Sequence, residues 1–428
     1  MIKDFLAFFL QDRGEEGRKI SYQLRAQLLI RNIKKLLQSM QNWKALVRKL
    51  HLWLGLASGL IVFIVSITGC IYVSQNEIMK AVEPWRTVEA KDQAFVPPSQ
   101  LVDTASFYMP GKTPSGLTYE DETGAAAVGF YYTENDKMDF GVVFLDPYSG
   151  EMLHKKEGVL HGGFNFFQFI IKGHRFLWLP PAIGKPVVGI GVLLFVVLLI
   201  TGIIMWWPVK WNAKNRERSF RIKWSAGWKR LNLDLHNVPG FYAALFLLII
   251  ACTGLVWSFK WFEHGVYYVA SGGESKAAHE HPHSIVQPAS SVTADSIPAI
   301  DRAFYLALEQ YPDPKRIYMT PQLREADDAI EVVLYKHQGR YYHHDEYFFD
   351  RYTLELLEVE KYDEAGFADK LDHMNYDLHT GAIWGLPGKI LVFILGLVSA
   401  SLPVTGFFVW YNKRRKSNRQ AHLLQSKL

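Results

Sequence analysis

The fold class this sequence predicts is a membrane α-helical protein: a four-transmembrane-helix bundle from an internal duplication, with two small α+β extracytoplasmic modules. Three observations carry that reading. Four stretches, 52–73, 186–207, 237–259 and 390–411, each run 22 or 23 residues without a charged side chain, enough to cross a hydrocarbon core about 30 Å thick. Landmark residues in the first stretch recur in the third, and those of the second recur in the fourth. The two long segments left over each read as a helix followed by short strands.

Residues 1–48 mix apolar and basic side chains, with Leu24, Leu28, Ile33, Leu36 and Leu37 at near-helical spacing. They are expected to form an amphipathic arm on the inner membrane surface, an extended start codon with a loosely ordered arm being the competing reading. About fifty residues precede the first apolar stretch, so no cleavable signal peptide is expected. The first span is placed at 49–74 and the first outer module at 75–160. The second span, with a preceding outer segment, takes 161–208, and a basic loop takes 209–235. The third span is 236–261, the linker and second outer module 262–376, the fourth span 377–411, and a basic tail 412–428.

Charge sets the orientation. The 209–235 loop carries Lys210, Lys214, Arg216, Arg218, Arg221, Lys223, Lys229 and Arg230 against Glu217 and Asp234. The tail carries Lys413, Arg414, Arg415, Lys416, Arg419 and Lys427 and no acid, and Lys44, Arg48 and Lys49 precede the first span. Excess Lys and Arg beside spans marks the cytoplasmic side. Both termini are therefore expected in the cytoplasm, with the two long loops in the periplasm of a bacterial inner membrane. The net charge of +5 is mostly this girdle and gives no support to a nucleic-acid partner.

The repeat is legible residue by residue. His51, Gly55, Thr68 and Gly69 mark the first span, and His236, Gly240, Thr253 and Gly254 mark the third, with 17 residues from His to Thr in both. Thr201, Gly202, Trp206 and Trp207 close the second span, and Thr405, Gly406, Trp410 and Tyr411 close the fourth. His174 stands 27 residues before its threonine and His379 stands 26 before its own. Each outer module begins with a helix, near 98–108 and 296–310. Strands then follow at 117–119, 126–132 and 140–145, and at 316–319, 329–335 and 342–349. Matching turns come next at 146–151 and 350–355. The 271–291 segment, rich in Ser, Ala, Gly and His, reads as a linker.

Only Cys70 and Cys252 occur, and no CxxCH is present. A covalent c-type haem and a cysteine-held iron–sulfur cluster are excluded; any haem is b-type. Odd and even spans run in opposite directions, so His51 and His236 fall at the inner end and His174 and His379 at the outer end. Four imidazoles paired by depth suit axial ligation of two haem irons. Gly55 and Gly240, one turn on from their histidines, leave a flat slot beside the ring. Thr68 and Thr253 lie about 25 Å further along their helices, level with the outer pair. A satisfied interfacial residue is the ordinary reading of any one such histidine; repeat-related placement argues for the set.

His161 is the alternative outer ligand should Pro180 and Pro181 break the chain ahead of the second span. Arg48, Lys49 and Arg175 suit haem propionates, or ordinary snorkelling at the interface. His279, His281 and His283 alternate within the linker, where a solvated loop is expected, and His343 and His344 open a strand with one side chain facing water.

The residues Leu50-His51, Ile67-Thr68-Gly69, Gly173-His174-Arg175, the 184–189 run, Trp206-Trp207-Pro208, Leu235-His236 and Asp377 to Gly381 together resemble the PepSY-associated transmembrane helix family. The resemblance covers roughly residues 45–415, and the outer modules are similar to PepSY domains. It implies a ferric-siderophore reductase-like inner-membrane protein. Two non-covalent b-type haems would sit between the four helices, with His51, His236, His174 and His379 as haem iron ligands. Electrons would reach a ferric siderophore or other ferric chelate on the periplasmic side. The sequence departs from the family pattern at Gly173, where Leu is usual before the histidine. No glycine-rich dinucleotide or flavin unit is present, so quinol or a separate reductase is the expected electron donor. A haem-free scaffold or regulator of periplasmic partners is one alternative. An iron-complex transporter is the other, although the spans hold no carboxylate or lysine to couple an ion gradient.

Overall fold

The protein is described by a computed structural model covering residues 15–134, 136–160, 164–208, 211–277, 282–285, 297–321 and 327–425. In chain order its first elements are α1 (Glu15–Val73), α2 (Gln75–Val82), a 3-10 turn at Pro84–Arg86, and α3 (Pro98–Tyr108). Strands β1 (Pro114–Tyr119), β2 (Ala126–Glu134), β3 (Lys137–Leu145) and β4 (Met152–Lys156) follow. Next come α4 (Phe166–Phe176), α5 (Pro181–Trp206), α6 (Ala213–Phe220), α7 (Trp228–Ser258), α8 (Lys260–Ala270) and α9 (Ala299–Gln310). Strands β5 (Arg316–Met319), β6 (Ile330–Tyr335), β7 (His344–Phe349) and β8 (Leu356–Lys361), then α10 (Phe367–Thr380) and α11 (Gly385–Gln425), complete the chain.

Among the described residues, four helical segments are long and apolar enough to cross a membrane: Trp43–Val73, Pro181–Trp206, Trp228–Ser258 and Ala382–Arg415. His51 and His236 therefore lie inside α1 and α7, and neither opens its helix. The segments ahead of them, with Lys44, Ala45, Leu46 and then Trp228, Lys229, Arg230, Leu231, are good helix formers and carry the helix out through the interface. α1 packs on α5 and α11, and α7 packs on the same two, so α1 and α7 stand at opposite corners of the bundle. Their buried faces meet in a core of Val62, Phe195, Leu199, Ala243, Ala244, Leu247, Ala251 and Leu395.

The two modules expected on the outer side are one body. Their strands form a single antiparallel sheet in the order β4-β3-β2-β1-β5-β6-β7-β8. The seam is β1 against β5, with Leu117, Thr118 and Tyr119 opposite Met319, Tyr318 and Ile317. Each first strand would otherwise present unpaired backbone groups, and each closes the other's edge. Helices α3 and α9 lie over the sheet and share one core with it, including Leu101, Ala105, Phe304 and Ala307 from the helices and Leu117, Tyr119, Val128, Met319 and Val332 from the strands. Buried Asp301 on α9 accepts from the backbone N–H of Ser99 (2.7 Å) and from its hydroxyl (2.5 Å) in the first turn of α3. That carboxylate satisfies donors at a helix start and ties the modules together.

Sequence reasoning finds three strands per module where the structure has four; β4 and β8 are additional. The expected turns are built around Asp146 and Asp350. Asp146 Oδ1 accepts from Tyr148 N at 2.7 Å, and Asp350 Oδ1 accepts from Tyr352 N and Thr353 N, both at 2.8 Å. Burial opposes ionisation of Asp350, yet the N–H groups of Thr353, Ile285 and Tyr352 hold its carboxyl below the usual range. The expected soft linker is pinned over part of its length. Ser284 N donates to Asp327 O at 2.6 Å, and Ile285 N donates to Asp350 Oδ2 at 2.9 Å.

Candidate functional site: two facing histidine pairs

The structure brings His51 together with His236, ring centroids 6.4 Å apart and planes crossed at 87°. It brings His174 together with His379, centroids 6.1 Å apart and planes at 66°. The first pair comes from the diagonal helices α1 and α7, at the bundle end away from the sheet. The second comes from the short helices α4 and α10 beneath the sheet. His174 Nδ1 reaches Val65 O on α1 and His379 Nδ1 reaches Ile250 O on α7. Val65 lies 14 residues beyond His51, and Ile250 lies 14 beyond His236. The pairs are therefore separated by about 21 Å along the helices.

Both outer histidines ride on helices broken off from their spans. After α4 the chain turns through left-handed Leu177 and Trp178 (φ 53° and 59°), and Pro181 then starts α5. The proline pair fixes this break. Gly173 has its reason here: a Cβ would run into the Trp178 indole, whose Nε1 donates back to Phe169 O at 2.8 Å. After α10 the chain turns at Gly381 (φ 76°), where the backbone meets Gly388. Asp377, two residues before His379, accepts from Tyr341 N (2.8 Å) and Tyr342 N (2.7 Å) and so fastens α10 to the sheet. Trp257 stands edge-on to His379, centroids 5.1 Å apart.

The hydrogen bonds fix the tautomer of each ring. His51 Nδ1 lies 2.9 Å from Thr201 Oγ1, but that hydroxyl already donates to Val197 O at 2.7 Å. Its remaining capacity is to accept, so His51 carries its proton on Nδ1. His236 Nδ1 stands 3.0 Å from Thr405 Oγ1, which donates to Ser401 O at 2.8 Å. His379 Nδ1 lies 2.9 Å from Thr253 Oγ1 and 3.0 Å from Ile250 O, and His174 Nδ1 lies 2.9 Å from Val65 O. A carbonyl can only accept, so these rings are also Nδ1–H. In every case Nε2 keeps its lone pair, and among the described residues it makes no hydrogen bond. This is how second partners orient a ligating imidazole.

The glycine of each Thr-Gly pair then seats the ring. A Cβ on Gly69 would lie 3.0 Å from His174 Cε1, on Gly406 3.2 Å from His236 Cε1, on Gly254 3.3 Å from His379 Cε1, and on Gly202 3.5 Å from His51 Cε1. Two further residues were not singled out from the sequence. Asn232 Nδ2 donates to Thr405 O (3.0 Å) and Asn375 Nδ2 donates to Thr253 O (3.3 Å), each four residues ahead of its histidine. The signal that could have found them is the repeat itself, which puts an Asn four residues ahead of His236 and again ahead of His379.

Around His51 and His236 opens a cavity of about 390 Å³, within the ~300–1,000 Å³ span of small-molecule and cofactor sites. Gly55, Gly59, Gly202, Gly240 and Gly406 line it, with Arg48 and Lys413 the basic residues among its lining. Lys49 does not line it, and Arg175 instead lies over the Phe176 ring. His161, His279 and His281 lie outside the described residues. His283 is exposed, 3.3 Å from Asp327. His344 is tied to Tyr341 O and Glu346, and neither it nor His343 joins the pairs.

A b-type haem fits these residues. A metal–imidazole nitrogen distance is about 2 Å, so two imidazoles that shared one metal would have ring centroids roughly 6 Å apart, the separation that both pairs show. Among the described residues no three His, Cys, Asp or Glu side chains group as an ion site. Two imidazoles alone would leave a bare ion short of its usual ligand count, a shortfall that a haem would make up itself.

Fold and site thus define a multi-span α-helical membrane protein with facing histidine pairs at two depths of its bundle. Residues 48–413 match the family described as the PepSY-associated TM region, and the chain belongs to that family. No curated protein matches the chain.

Proposed function

We propose that the protein is a di-haem b electron conduit of the bacterial inner membrane, reducing a ferric siderophore or another ferric chelate on the periplasmic side. The observation that supports this best is the pair of crossed imidazole sites with Nδ1 bonded and Nε2 free. Each haem would supply a one-electron couple. His51 and His236 would hold the inner one, and His174 and His379 the outer one. Thr201, Thr405, Thr253 and the Val65 carbonyl keep the rings in the ligating tautomer. Arg48 and Lys413 offer charge to propionates. The aliphatic layer from Val62 to Leu395 excludes water between the two depths.

In this reading the chain is an internal duplication, its basic ends cytoplasmic and its sheet periplasmic. Electrons come from quinol or a separate reductase. Because Fe(III) favours hard oxygen chelators more than Fe(II) does, reduction releases the metal.

The test is the optical spectrum and haem content of the purified protein. Low-spin b-type bands at about two haems per chain are expected, and His236→Ala and His379→Ala should each remove one. A colourless protein from haem-replete cells would overturn the proposal in favour of a haem-free scaffold.

A further inference from the structure

Helix α8 has no part in the histidine sites, and among the described residues its apolar face is covered by none beyond Phe367 and Leu371 at its edge. It starts directly after the third span, where Phe259 adopts an extended conformation (φ −135°, ψ 120°) and turns the chain out of α7. Phe259 packs over Gly189 of α5, four residues, or about 6 Å, inside Lys185. With Lys185 taken as a surface-seeking end of its span, that depth corresponds to the boundary between headgroups and acyl chains, where in-plane amphipathic helices bury their apolar face about 5–10 Å.

The two faces of α8 differ sharply. One carries Lys260, Glu263, His264 and Tyr267. Glu263 pairs with Lys260 and Lys276, both at 2.8 Å, and Lys276 also reaches Asp372 at 2.8 Å. Tyr267 Oη donates to Asp369 at 2.9 Å. Those bonds bind α8 to the start of α10. The other face, with Phe367 and Leu371 of α10, walls an open trough of about 550 Å³. Its side chains stand out from the protein, with Trp261 61%, Val269 80% and Phe367 67% exposed. A tryptophan at the rim of an apolar face is the usual residue of a membrane–water boundary.

We propose that α8 lies in the plane of the membrane on the sheet side and that its trough seats acyl chains of bilayer lipids. The occupant follows from continuity: the apolar face begins where the lipid-facing surface of α7 ends, at the same depth. The ion-paired face looks away from lipid and carries α10, so the bilayer surface sets the height of the helix that holds His379. The inference rests on no haem.

The full-length chain in phosphatidylethanolamine–phosphatidylglycerol nanodiscs tests it, with Cys70→Ala and Cys252→Ala as background and one nitroxide at Val269→Cys or His264→Cys. Oxygen collisions should exceed nickel-chelate collisions at 269, and the order should reverse at 264. Equal nickel-chelate access at both sites, meaning a water-filled trough, would overturn the proposal; so would a label at 269 reached by neither, meaning a protein cover. In the otherwise native chain, quenching by brominated acyl chains should fall in Trp261→Phe, and unchanged quenching would also overturn it.

Discussion

Replacing Thr201 by valine separates a ligand-orienting role for the threonines from mere helix packing. Thr201 Oγ1 is the side-chain acceptor for His51 Nδ1 at 2.9 Å, beside the Leu198 backbone, and valine has the same shape without that hydroxyl. A buried donor left unsatisfied costs about 1–3 kcal/mol. At about 1.4 kcal/mol per tenfold, that corresponds to roughly 5- to 150-fold in affinity, overlapping the 10–100-fold loss typical of second-partner changes at metal sites. On the di-haem proposal, Thr201→Val and Thr405→Val should therefore each lower haem affinity at the His51–His236 pair by one to two orders of magnitude. Thr68→Val should not do so at the other site, because His174 Nδ1 is held by the Val65 carbonyl, while the Thr68 hydroxyl donates to Ile64 O at 2.6 Å. The sequence repeat treats all four threonines alike; the structure does not. Titrating haem-depleted protein with hemin and reading pyridine haemochrome stoichiometry measures the difference. Equal losses in Thr68→Val and Thr201→Val, or none in Thr201→Val, would refute the tautomer argument.

The glycines of the same motifs should also differ. Gly69→Ala puts a Cβ 3.0 Å from His174 Cε1, tighter than ordinary contact, whereas Gly202→Ala leaves 3.5 Å at His51; haem content should fall in the first variant and hold in the second. The α8–α10 bracket should fail in acid. Hydrogen bonds from Lys260 and then Lys276 hold Glu263 down to about 2, below the ordinary glutamate value of about 4.3. A depressed carboxylate stabilises the bracket above the ordinary value and loses that contribution as pH falls through the lower one. Nitroxide mobility at residue 269 should therefore rise between about pH 4.3 and about pH 2, and Glu263→Gln should show the raised mobility already at pH 7.

Much of this arrangement is legible in the sequence because membranes and prolines leave coarse marks. Uncharged stretches locate the spans. Chain direction alone pairs His51 with His236 and His174 with His379, and Pro180 with Pro181 announces the break before α5. The strands β4 and β8 are not legible in the same way. Lys155 and Lys156, and Glu358, Glu360 and Lys361, are the charges that edge strands carry against aggregation, and they read as loop. The Val65 carbonyl is a backbone group, so no residue type signals it. The β1–β5 seam pairs residues some two hundred positions apart, and nothing local in either strand names its partner. Asn232 and Asn375 were open to detection, since each stands four residues ahead of a repeat-related histidine.

That seam also bears on how the chain is made. Until β5 has been synthesised, β1 waits with one flank bare and its share of the common core exposed to water. Pairing at such sequence distance is slow, because the intervening loop must close before any contact rewards it. A ribosome-bound first half therefore presents a sticky, half-finished ribbon to the compartment that receives it. Assembly of the outer body is gated by insertion of the third span, and a chain truncated after α7 should emerge as a client for chaperones and proteases, with no functional half-molecule to spare.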